Sequence, residues 1–82
     1  MDKLLIEVYV PSIRGTFDVS IPDNSGVFEL LPLITSAVLQ LSDGLFVPND
    51  TVLCDGCTGQ IFDNNMSASD MKLKNGSRLM LI

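Results

Sequence analysis

Histidine and tryptophan are absent from this 82-residue chain, cysteine occurs twice, tyrosine once, and only five residues are basic. Without histidine the chain lacks the commonest general base and metal ligand at neutral pH. Two cysteines are too few for the disulfide framework that staples small secreted domains, so folding must rest on hydrophobic packing. The five cations, Lys3, Arg14, Lys72, Lys74 and Arg78, are scattered along the sequence and face ten carboxylates, for a net charge of −5. That balance argues against binding nucleic acid or an anionic membrane surface. No apolar run approaches the roughly 20 residues that span a bilayer. The start, Met1-Asp2-Lys3-Leu4, lacks the basic region and small-residue cleavage site of a signal peptide. A cytoplasmic location without direct membrane insertion is therefore expected.

What the chain does have is apolar residues. They make up 46% of the composition, with a mean hydropathy of +0.36 and only 18% charged residues. A domain this small buries only about 60% of its unfolded surface. The apolar content exceeds what one thin core easily hides, and the surplus suggests an interaction surface.

Patterning along the chain supports one domain over residues 1–82. Leu4 to Val10 reads as a strand with Ile6, Val8 and Val10 on one face and Leu5, Glu7 and Tyr9 on the other. After a turn at Ser12–Gly15, Thr16 to Ile21 alternates, with Phe17, Val19 and Ile21 on one face, and stops at Pro22, completing a hairpin. Val27, Leu30, Ile34, Val38 and Leu41 recur at helical spacing. Asn24 or Ser25 is a suitable N-cap, Glu29 suits the first turn, and Gly44 is the expected C-cap. Pro32 predicts a late start or a local irregularity. A connector over Leu45–Asp50 containing Pro48 leads to a short strand at Thr51–Cys54, a glycine-rich turn, and a return strand at Gln60–Phe62. One helical turn is expected around Ala68–Met71, a turn at Lys74-Asn75-Gly76, and a last strand over Ser77–Ile82. The order β-β-α-β-β-β predicts an α+β fold. It is a mixed sheet of four to five strands with one main helix across a face, the β-grasp arrangement.

Several segments resemble ubiquitin in order and spacing. They are the hairpin Leu4–Val10 with Thr16–Pro22, the third strand and turn Val52-Leu53-Cys54-Asp55-Gly56, and the stretch from Met66 to Leu81. The hairpin residues Gly15-Thr16-Phe17-Asp18-Val19 and the closing Asn75-Gly76-Ser77-Arg78-Leu79 resemble the bacterial ubiquitin-like family called YukD or EsaB. Members of that family are accessory proteins of type VII secretion. The resemblance implies a ubiquitin-like β-grasp domain with an accessory or regulatory role in such a system, and because no Ser/His/Asp set, phosphate loop or supported acid/base pair is visible, no enzymatic activity is expected. Ubiquitin and the sulfur carriers need a C-terminal Gly-Gly, whereas this sequence closes on Leu79-Met80-Leu81-Ile82, which argues against a carrier. β-grasp ferredoxins need four cysteine ligands, and two are present.

Two sets of residues are candidate sites. Cys54-Asp55-Gly56-Cys57 is a C-x-x-C, readable as a redox pair or half a zinc site. It falls at a strand end rather than at a helix N-terminus and lacks two further ligands. A buried Cys54 and an exposed turn Cys57 are therefore expected, with no cofactor; thiol titration and metal content discriminate the alternatives. Asp43, Asp50, Asp55, Asp63 and Asp70 lie mostly in turns and lack calcium-loop spacing. The second set follows from the ubiquitin-like register, which implies that Leu53, Met80 and Ile82 occupy the partner-binding face of the sheet, extended by Leu5 and Tyr9 and rimmed by Arg78. Val52, Leu79 and Leu81 are then expected to face the helix. The partner is a protein, either a component of the secretion machinery or a second copy meeting the outer sheet face.

Overall fold

The computed structural model describes residues 3–47 and 51–82. Met1, Asp2, and the Pro48 and Asp50 of the expected connector lie outside the described residues. Strand β1 (Lys3–Val10) and β2 (Gly15–Pro22) form an antiparallel hairpin, paired from Lys3 with Pro22 to Val10 with Gly15. A short 3-10 turn at Pro11–Ile13 joins them, with Arg14 in the left-handed region at φ 51°. Helix α1 (Val27–Leu41) follows, then β3 (Leu53–Asp55), the one-turn helix α2 (Ala68–Met71) and β4 (Arg78–Leu81). The sheet order is β2-β1-β4-β3, with β4 parallel to β1 and antiparallel to β3. The chain is thus a mixed four-strand sheet with one main helix packed across it, as the patterning predicts. The expected fifth strand at Gln60–Phe62 is reduced to a single bridge between Ile61 and Cys54, flanked by hydrogen bonds from Asp55 N to Gln60 O and from Phe62 N to Leu53 O.

The core lies between α1 and one sheet face. Ile6, Val8 and Val10 of β1, Val19 and Ile21 of β2, and Leu79 and Leu81 of β4 meet Val27, Leu30, Ile34 and Val38 of α1. Alternation with period two and recurrence at three and four residues select these positions, and each is buried. At about 1.5–3 kcal/mol for each large aliphatic side chain fully removed from water, this layer supplies most of the drive to fold.

The ends of α1 depart from the sequence expectation. Its N-cap is Gly26, with no side-chain cap, in place of Asn24 or Ser25. The Val27 N–H instead donates to the Met66 carbonyl at 3.1 Å. A Cβ at Gly26 would approach that carbonyl oxygen to 3.0 Å, so a bare backbone is what lets the loop before α2 reach the helix start. At the other end Ser42 is the C-cap, and the residue in the left-handed region is Asp43 (φ 57°), with Gly44 one place later. The Asp43 N–H donates to Gln40 O at 3.2 Å and the Gly44 N–H to Leu39 O at 3.0 Å, the paired bonds of a Schellman motif. The helix runs unbroken through Pro32. Pro32 and Phe28, whose carbonyl loses its helical partner, are both on the exposed side, where the lost bond costs less than it would in the core. Helix α2 is as expected and carries a capping box. Asp70 N donates to Ser67 Oγ, and Ser67 N donates to Asp70 Oδ2. Hydrogen bonding to the carboxylate from Ser67, its backbone N–H first and its hydroxyl second, holds the Asp70 carboxyl below the usual carboxylate range.

A left-handed backbone is strained for a residue with a Cβ, and Asp43 sits there without being glycine. Asp43→Gly is expected to stabilise the fold by about 0.5–1 kcal/mol, seen as a higher urea midpoint at unchanged slope.

Candidate functional site

The sheet face away from α1 is built by the residues that alternate with the core. In β1 these are Leu5, Glu7 and Tyr9; in β2 Thr16, Asp18 and Ser20; in β4 Arg78 and Met80. Cross-strand register arranges them in rows. Asp18, Glu7 and Arg78 form one row, and Thr16, Tyr9, Met80 and Cys54 the next. Ile82 and Val52 follow, exchanging backbone hydrogen bonds in both directions. Leu5 (55%), Tyr9 (41%) and Ile82 (51%) are exposed, Arg78 is exposed and Met80 half-buried. Glu7, Tyr9, Gly56, Arg78 and Met80 line a depression of about 260 Å³ on this face. Five of the six residues expected to form the binding face are therefore brought together on one side of the sheet.

Leu53 is the correction. It pairs with Leu81 in the β3–β4 ladder, and cross-strand partners share a face, so Leu53 points into the core at 1% exposure. The expected alternation of β3 is displaced by one residue, which moves every side chain to the opposite face. Cys54 and half-buried Val52, rather than Leu53, accompany Met80 and Ile82, and Val52 does not join the helix-facing set. Leu79 and Leu81 face the helix as expected.

The C-x-x-C is divided by this geometry. Cys54 is buried, and Cys57 is exposed in the turn after β3. Burial pushes the Cys54 thiol up from its ordinary pKa, which disfavours the nucleophilic thiolate. The turn is held by Asp55, whose Oδ1 accepts the N–H of Cys57 at 2.7 Å and of Thr58 at 3.3 Å. Gly56 presses against β4, its N–H donating to Arg78 O at 2.8 Å, and a Cβ there would meet Arg78 backbone atoms at 3.0 Å. Among the described residues no group of three or more His, Cys, Asp or Glu could hold a metal ion. No helix in them is long and apolar enough to cross a membrane.

The surplus of apolar residues is spread more widely than the sheet. Besides Leu5, Tyr9 and Ile82, the large exposed apolar side chains among the described residues are Phe28, Leu33, Leu39 and Leu41 of α1, and Leu45, Val47 and Ile61 in the connections. The signal for the helical set was present, since Glu29 is the one charged residue among the fifteen of α1.

No family model and no curated protein matches the chain. Solved structures do. The ubiquitin-like domain of the Mycobacterium tuberculosis type VII secretion protein EccD1 superposes with a TM-score of 0.74 at 13% identity, covering 100% of this chain and 99% of that one. The fold is ubiquitin-like. The EccD5 ubiquitin-like domain from Mycobacterium xenopi superposes at 0.67 with 15% identity, over 100% of this chain and 94% of that one. A chain of a toluene 4-monooxygenase complex superposes at 0.73 with 8% identity, over 98% and 96%. These likenesses establish the ubiquitin-like fold, a scaffold that serves proteins as different as a secretion component and part of a monooxygenase.

Leu53 belongs to the core of this ubiquitin-like domain and not to its outer face. Leu53→Ala is expected to cost about 2–5 kcal/mol in urea unfolding; a change below about 0.5 kcal/mol, typical of a surface substitution, would contradict the placement.

Proposed function

We propose that this chain is a non-catalytic protein-interaction module of the YukD or EsaB type, an accessory or regulatory component of a bacterial type VII secretion system acting in the cytoplasm. The observation that carries the reading is the outer sheet face. Tyr9 and half-buried Met80 line a depression together with Glu7 and Arg78, and Leu5 and Ile82 stand exposed elsewhere on the same face. Apolar side chains set beside polar and charged ones suit a protein interface. The secretion assignment is supported by the Gly15–Val19 and Asn75–Leu79 motifs, and by the EccD domains among the similar structures. The partner is a protein of the secretion machinery, docking by burial of Tyr9, Met80 and Ile82. Self-association through the same face competes with that docking. Burial of Cys54, apart from the exposed Cys57, supports a structural rather than a chemical role for the C-x-x-C.

The test is genetic. In the bacterium that encodes the chain, deleting its gene should reduce export of the small helical substrates of type VII secretion. The wild-type gene should restore export. A Leu5→Ser/Tyr9→Ser variant should not, although it accumulates as folded protein, since exposed substitutions usually change stability by less than about 0.5 kcal/mol each. Undiminished export after deletion would refute the secretion role. Full restoration by the double variant would refute the outer face as the docking surface.

A further inference from the structure

The chain is acidic, with ten carboxylates against five cations, yet three of those cations line a single cavity. It has a volume of about 310 Å³ and is bordered by Lys72, Lys74 and Arg78. In sequence these three lie within seven consecutive positions, and the turns between them set all three around the cavity. Helix α2 ends at Met71, and Lys72 turns the chain by entering the left-handed region at φ 54°. The Lys74 N–H donates to Ser77 Oγ at 2.9 Å and the Ser77 N–H donates to Lys74 O at 3.0 Å, a closed turn that brings Arg78 to the start of β4. The opposite wall is the turn after β3, clamped to Arg78 through the Gly56 N–H. Met71, buried, and Leu73, half-buried, give the cavity an apolar component.

Among the residues lining the cavity, three cations meet one carboxylate, Asp55, which leaves a positive surplus. The Asp55 Oδ1 also accepts the two N–H groups of the turn, which fixes its position at the cavity wall. Glu7 sits beside Arg78 in the β1–β4 register and lines the outer-face depression instead. Asp70, held by Ser67 in the capping box, is not among the residues lining the cavity. Arg78 borders both the cavity and the outer-face depression, so the two adjoin at this residue.

We propose that this cavity docks an acidic segment of the protein partner, its carboxylates meeting Lys72, Lys74 and Arg78 while an apolar side chain reaches Leu73. The inference deepens the proposed interaction role and rests on it for the partner being a protein that also covers Tyr9 and Met80. Charge complementarity selects the occupant. Outside the cavity only Lys3 and Arg14 remain to balance the carboxylates, so the rest of the surface repels an acidic segment and this one position attracts it.

The experiment is an amide NMR titration of the full chain at low ionic strength. The probes are a glutamate-rich peptide with one central leucine, the same peptide with lysine in place of glutamate, and inorganic phosphate. The glutamate peptide should shift the amides of Lys72, Lys74, Gly76 and Ser77. Its affinity should fall at least about tenfold in a Lys72→Glu/Lys74→Glu variant, and should weaken with added salt. Both substituted side chains are exposed, and a urea midpoint close to wild type would show the variant folded. No shift at these amides would overturn the proposal, as would an equal response to the lysine peptide or to phosphate alone. Shifts confined to Tyr9 and Met80 would overturn the cavity and leave the outer-face reading standing. Cavity shifts together with full export by the Leu5→Ser/Tyr9→Ser variant would uphold the cavity and refute the outer face.

Discussion

The parallel pairing of β1 with β4 is the contact on which the other features of the domain depend. It joins the first strand to the last, so that Leu5 N donates to Asn75 Oδ1 at 2.8 Å across 70 residues of chain. Gly76 N donates to Leu5 O at 2.8 Å and Glu7 N to Ser77 O at 2.9 Å, extending the ladder into the turn before β4. A parallel pair of this kind needs a long crossover, and here the crossover contains α1, which is thereby laid across the sheet. Once β4 is seated between β1 and β3, its alternation assigns every neighbour to a face: Leu79 and Leu81 to the core, Arg78 and Met80 to the outside.

That dependence explains what was legible in the sequence. The hairpin was readable because Phe17, Val19 and Ile21 alternate along the strand, and the helix because Val27, Leu30, Ile34 and Val38 leave a stripe about three turns long. Both signals are local. The register of β3 is not. Three residues, Leu53-Cys54-Asp55, contain two adjacent apolar side chains, and either satisfies a buried position. Only the pairing of Leu53 with Leu81 decides the matter, and that is a long-range fact. Analogy with ubiquitin assigned Leu53 outward, a one-residue slip across the turn at Gly56. The caps of α1 were hidden for a similar reason, since the group satisfying Val27 N–H is a carbonyl from a distant loop. The proximity of Lys72, Lys74 and Arg78 is visible in the sequence, but the cavity they border is completed by Asp55 and Cys57 of the turn after β3, which no local pattern displays.

The outer face of the sheet is a consequence of the same pairing. Tyr9 and Met80 lie side by side because β1 and β4 are adjacent. Arg78 stands at the junction between their depression and the cationic cavity. A partner engaging both would combine apolar burial with charge-guided orientation, and the acidic remainder of the surface would disfavour misplaced encounters. Phe28, Leu33, Leu39 and Leu41 place a further share of exposed apolar surface on α1. The apolar richness of the composition is therefore divided among a core, a sheet face and a helix flank.

If β4 is the strand that locks both faces in place, its hydrogen bonds should open only when the whole domain unfolds. Native-state hydrogen exchange measures this directly. The amides of Glu7, of the residues paired with β1 in β4, and of Ile82 should exchange with free energies equal to that of global unfolding. Exchange of the β4 amides at substantially lower free energy, with the β1–β2 hairpin still protected, would show that the last strand detaches on its own. That result would contradict an outer face preformed by the β1–β4 pairing.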